Sequence, residues 1–128
     1  MDRIEKSRFW WDSAKKNASD ANDFFKTKHY DWCLFVWGLA LEKILKSQLI
    51  ARDKEIIFTH NLIKLAQDAG FNLNETEYDQ LAEINTFNIN TRYDDYKYKF
   101  YKKATLEYTT KWQNICQSLW NKFEEGLK

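Results

Sequence analysis

The chain has 128 residues, 44% hydrophobic and 30% charged, with a formal net charge of +1, three glycines and no proline. That length and apolar fraction fit one domain, residues 1–128, and exclude a disordered chain; so few glycines and prolines disfavour an all-β design and long structured loops. The charge excludes nucleic-acid binding through an overall positive field, leaving only a local patch, and no apolar run of about 18 residues offers a membrane span.

The first helix is expected from about Ser7, as N-cap, to about Lys28. Phe9, Trp10, Ala14, Ala18, Ala21, Phe24 and Phe25 recur at three- and four-residue steps and form one apolar stripe. Its alanines admit a close neighbour. A break at His29-Tyr30-Asp31 precedes a second helix, about Asp31 to Arg52. Between Trp32 and Leu41 every residue except Gly38 is hydrophobic, so this helix is predicted to be central.

A short helix follows over about His60 to Ala69, with Gly70 as its stop. Asn74-Glu75-Thr76-Glu77 reads as a capping box opening a helix from Glu75 to about Phe87, with Tyr78, Leu81, Ala82 and Ile84 inward. The last helix is expected over about Ala104 to Glu125, with Leu106, Trp112, Ile115, Cys116, Leu119, Trp120 and Phe123 on its inner face. The pattern predicts an all-α, up-and-down helical bundle of four to five helices. The opening Met1 to Lys6 is charged and lacks a secretory core, so a cytoplasmic protein is expected, with Cys33 and Cys116 as reduced interior thiols.

Four features carry chemistry. Glu42 shares a helical strip with Phe35, Gly38, Leu45 and Leu49, while Lys43 and Lys46 are expected to point away. Either this carboxylate lies at a solvated rim, or it is a buried polar anchor for Arg92 or His60. His29 and Cys33 stand four apart, but two ligands do not make a metal site, so no metal is expected. His60 is either a cap, or a satisfied semi-buried imidazole, or a proton-transfer group awaiting a partner. Residues 90–103 pack one Arg, four Lys, two Asp and five aromatics into fourteen positions. As a helix this stretch places Arg92, Tyr96, Lys99 and Lys103 on one side, and Tyr93, Lys97 and Phe100 or Tyr101 on another. Interleaved tyrosines and cations suit bases and phosphates, and the planar fork of Arg92 suits a phosphate. The alternative is a solvated connection with its tyrosines packed on the bundle. No glycine-rich phosphate loop, nucleophile elbow or paired-carboxylate spacing occurs.

Taken in order, Ala-Leu-Glu-Lys-Ile-Leu-Lys (40–46), His-Asn-Leu (60–62) and Arg-Tyr-Asp-Asp (92–95) resemble the HEPN domain family, and the early Trp10, Ala14, Ala18 and Ala21 are compatible with it. The resemblance implies a helical bundle, usually a homodimer, often paired with a minimal nucleotidyltransferase in a toxin–antitoxin-like pair. It implies nucleotide or RNA-phosphate binding at Arg92, Tyr93, Tyr96, Lys97 and Lys99, without a cofactor. It also implies adenylylation by the partner at Tyr93, Tyr96 or Tyr98. The family's metal-independent ribonucleases carry an Arg, four to six residues, then a His. Here those positions hold Lys97, Tyr98 and Lys99. The chain is closer to the Arg-Tyr-Pro-Asp subgroup, with Asp94 in place of proline. A binding partner of the transferase is therefore expected, ahead of a ribonuclease using Arg92 and His60, or a structural bundle whose basic strip is a protein interface.

Overall fold

The computed structural model describes residues 1–56, 58–89 and 93–128. Among them the chain forms six helices and no strand: α1 (Arg3–Lys26), α2 (Tyr30–Ala51), α3 (Leu62–Asp68), α4 (Glu75–Asn85), α5 (Asp94–Lys103) and α6 (Leu106–Glu125). The bundle expectation holds, with the 90–103 stretch supplying an additional helix.

Helix α2 is the centre and touches all five others. Its continuous apolar run needs protein on every side, and Leu34, Trp37, Leu41, Ile44 and Leu45 have no solvent exposure. Trp32, at the start of that run, remains 41% exposed. Helices α1 and α2 form a long hairpin. Both end in left-handed residues that are not glycine, Lys28 (φ 64°) and Asp53 (φ 59°), which explains how so few glycines suffice. Gly70 (φ 84°) stops α3 as expected, and a β-carbon there would lie 2.6 Å from the Arg52 guanidinium.

The start of α1 differs from expectation. Asp2 caps it, accepting from the Glu5 N–H at 2.8 Å, and the helix begins upstream of Ser7. Ser7 is instead buried, its Oγ 3.0 Å from the Ser47 carbonyl oxygen, while Ser47 Oγ donates to the Ser7 carbonyl at 2.7 Å. That pairing sets the α1–α2 register. Seven-residue steps from it bring Ala14 level with Ala40 and Ala21 level with Cys33, all four fully buried. Small side chains along this seam let the two backbones approach closely.

Other inward assignments hold with exceptions at helix edges. Phe9 and Leu106 are more than half exposed, and Ala82 also faces solvent. The capping box on α4 is present, and its Glu77 also receives two 2.9 Å contacts from Lys122 of α6. Glu83, further along α4, accepts from Lys103 of α5 and Tyr108 of α6 and so ties three helices together.

Candidate functional site

Two chemically distinct regions lie on this frame. The first is built around Glu42, buried on α2. Its Oε1 lies 2.7 Å from His60 Nδ1 and its Oε2 accepts from Lys46 Nζ at 2.9 Å. Glu42 is buried, and of the two partners weighed for it His60 is in contact while Arg92 lies outside the described residues. The expectation that Lys46 points away is overturned: an i to i+4 step on α2 brings it back onto Glu42, where an unpaired buried carboxylate would be unstable. Lys43 does turn elsewhere, donating to Ser13 Oγ at 2.9 Å.

His60 does not cap α3. Asn61 does, accepting from the Ile63 N–H, and Asn85 of α4 holds this turn by accepting from the Leu62 N–H and donating to Asn61. The His60 ring is thereby fixed at one nitrogen while its side chain stays 63% exposed. A cavity of about 20 Å³ lies between Gly38, Glu42, His60, Ile84, Asn85 and Asn88, room for about one water. It is too small for a nucleotide.

The second region is α5. Phe100 is buried against Phe87, ring centroids 5.5 Å apart, and orients the helix. Tyr96, one turn earlier, follows it inward and donates its hydroxyl to the Thr86 carbonyl at 2.7 Å. Tyr96 therefore groups with Phe100 rather than with Lys99, because a four-residue step keeps a helical face and a three-residue step turns further off it. Tyr93, Lys97, Tyr98 and Lys99 are exposed. Lys97 lies 4.0 Å from Asp94. Tyr98 and Tyr101 stack with centroids 6.4 Å apart and planes 22° apart, and Lys102 Nζ sits 4.8 Å above the Tyr98 ring. Beside them a cleft of about 320 Å³ is lined by Tyr101, Lys102, Lys28 and Tyr30, which extends the strip onto the start of α2. Sequence reasoning missed Lys102 and Lys28, although Lys102 is one turn beyond Tyr98. The expectation for Arg92 falls outside the described residues.

The two cysteines are buried and free. Burial pushes the Cys33 thiol up to about 12, and Cys116 is raised as well, by burial and by its neighbour Cys33. Cys33 Sγ contacts Gln113 Oε1 at 3.1 Å, while His29 Nδ1 lies 3.0 Å from Thr27 Oγ1. Among the described residues no group of three or more His, Cys, Asp or Glu side chains is arranged to hold a metal.

A model of the HEPN domain matches residues 7–126. The fold is similar to that of TT1696 from Thermus thermophilus, with a TM-score of 0.80 at 21% identity, covering 94% of this chain and 98% of that one. It is also similar to ST0689, an archaeal HEPN homologue, with a TM-score of 0.75 at 16% identity over 100% of both chains. No curated protein matches the sequence.

Proposed function

We propose a function for a chain that belongs to the HEPN domain family: it binds RNA or nucleotide phosphate along α5, as the regulatory partner of a minimal nucleotidyltransferase in a toxin–antitoxin-like pair. The observation that carries this reading is the stacked, solvent-facing Tyr98–Tyr101 pair with Lys102 over one ring. Such rings offer bases a stacking platform, and Lys97, Lys99 and Lys102 offer the backbone charge. Arg92, two residues before α5, is assigned the phosphate itself. Among the three tyrosines proposed for adenylylation, Tyr93 and Tyr98 present open rings, whereas the Tyr96 hydroxyl is bonded to Thr86. Mass spectrometry after co-expression with a minimal nucleotidyltransferase should find adenylate on Tyr93 or Tyr98. Unmodified peptides throughout would remove that part.

The Glu42–His60 contact favours a second reading. A carboxylate on Nδ1 holds the imidazole and leaves its other nitrogen for proton transfer, as a metal-independent ribonuclease requires. Labelled RNA incubated with the protein in chelator separates the two. Retention without cleavage supports the binding partner; cleavage lost in both Arg92→Ala and His60→Ala supports the ribonuclease. Neither retention nor cleavage overturns both. A homodimer fits the apolar surface left on one copy, where Ile4 and Phe9 of α1 are both more than half exposed. Sedimentation showing only monomer at micromolar concentration would contradict it.

A further inference from the structure

A large cleft lies away from α5, where the start of α1 faces the end of α2 beside residues 53–56 and 58. It measures about 670 Å³. One wall is the Arg3, Lys6 and Trp10 face of α1, whose three- and four-residue spacing puts all three on one side. The opposite wall is Lys46 and Ile50 of α2, and Phe58, fully exposed, stands at the mouth.

Four cations line this cleft, Arg3, Lys6, Lys46 and Lys54, against two carboxylates, Asp53 and Glu55. In a chain of net charge +1 that is a local concentration of one sign. The cations are held in different ways. Arg3 reaches over to the Ala51 carbonyl at 3.4 Å, which draws its guanidinium across the gap. Lys46 lies 5.7 Å over the Trp10 ring and is paired with Glu42. Lys54 donates to the Asp68 carbonyl at 2.7 Å, which turns its ammonium toward α3. Converging donors from two helices, beside an indole and an open phenyl ring, fit an anion joined to a flat or apolar group. The volume falls within the range of small-ligand sites.

We infer that this cleft is a second anion site, taking the phosphate groups of a ligand against Arg3, Lys6 and Lys46 and its ring against Trp10 and Phe58. Because Lys46 also pairs with Glu42, occupancy here bears on the carboxylate that holds His60. The source of the phosphate is a free nucleotide, an inorganic oligophosphate or the 5′ end of an RNA.

Calorimetric titration of the full chain in chelator at low salt tests this with inorganic triphosphate, ATP, adenosine and RNA oligonucleotides with and without a 5′ phosphate. ATP is expected to bind more tightly than triphosphate, and adenosine not at all. Lys6→Glu should weaken the binding by about tenfold or more, the loss of one charge-assisted contact and the gain of a repulsion, while Lys16→Glu on the same helix leaves it unchanged. Phe58→Ala should weaken ATP and spare triphosphate. A preference for 5′-phosphorylated RNA that Lys6→Glu abolishes would identify the RNA end as the source. The proposal is overturned if none of the phosphate compounds binds, if Lys6→Glu binds them as well as the unaltered chain, or if polyglutamate binds as tightly as ATP. Lys6 is exposed, so the variant is expected to fold, which circular dichroism checks. The reading of α5 is tested on Arg92 and Tyr98, so the two proposals stand or fall separately.

Discussion

Glu42 and Lys46 show how one side chain decides the state of several others. Each is 11% exposed at the side chain, and each answers the other's charge. Glu42→Ala leaves an ammonium with little water and no counter-charge, and is expected to destabilise the fold by about 3 kcal/mol. Glu42→Met combined with Lys46→Met removes both charges at similar volume and should restore most of that stability. Urea unfolding of the two variants checks it; a double variant as unstable as the single one would show that packing, rather than charge, sets the cost. The burial of Glu42 was legible in the sequence as one of two readings, because a carboxylate lay on an apolar strip. Its partners were only half legible. His60 was one of two candidates named, and Lys46 was passed over although the favourable Glu-to-Lys spacing was visible.

Among the elements, the α1–α2 hairpin depends on small residues and the α4–α5–α6 corner on charge. Ala14→Leu is expected to force the hairpin apart and to cost about 1–3 kcal/mol by overpacking, measured by denaturant unfolding. An unchanged midpoint would mean that the seam has room to spare. At the other end, burial of Glu83 favours its neutral form, yet hydrogen bonds from Lys103 and Tyr108 and the charges of Lys103 and Lys111 hold it below the ordinary value of about 4.5. Glu77 is lowered as well, with burial opposing and Lys122 and the Asn74 N–H prevailing. A depressed carboxyl lends stability above its unfolded value and loses it as pH falls through the folded one. Thermal stability should therefore decline on acidification below about pH 4.5, and Glu83→Gln should make that decline shallower. Equal acid sensitivity in the variant would assign the effect elsewhere. Five of the helices were readable from periodicity, but α5 was one of two alternatives for its stretch, and the start of α1 was not readable. Both Asp2 and Ser7 are good caps, and only the burial of Ser7 against Ser47 decides between them.

For the whole molecule, composition alone pointed to a helical bundle, and the order of three short motifs pointed to the HEPN family that the domain match establishes. The working surface was less legible. Tyrosines and cations were plainly interleaved in α5, but which rings face out depends on Phe100 being drawn under Phe87, a contact between elements that no local pattern encodes. Residues that join a surface from elsewhere in the chain, such as Lys28 beside Lys102, are invisible until the helices pack. The claim on which the functional account turns is that Arg92 and the open rings of α5 hold RNA together. Fluorescence anisotropy of a labelled single-stranded RNA, in chelator, tests it on the unaltered protein, Arg92→Ala and Tyr98→Ala. The account predicts saturable binding that weakens about tenfold or more in Arg92→Ala and by about 1–3 kcal/mol in Tyr98→Ala. Binding by Arg92→Ala equal to that of the unaltered chain, or no binding by either, would contradict it.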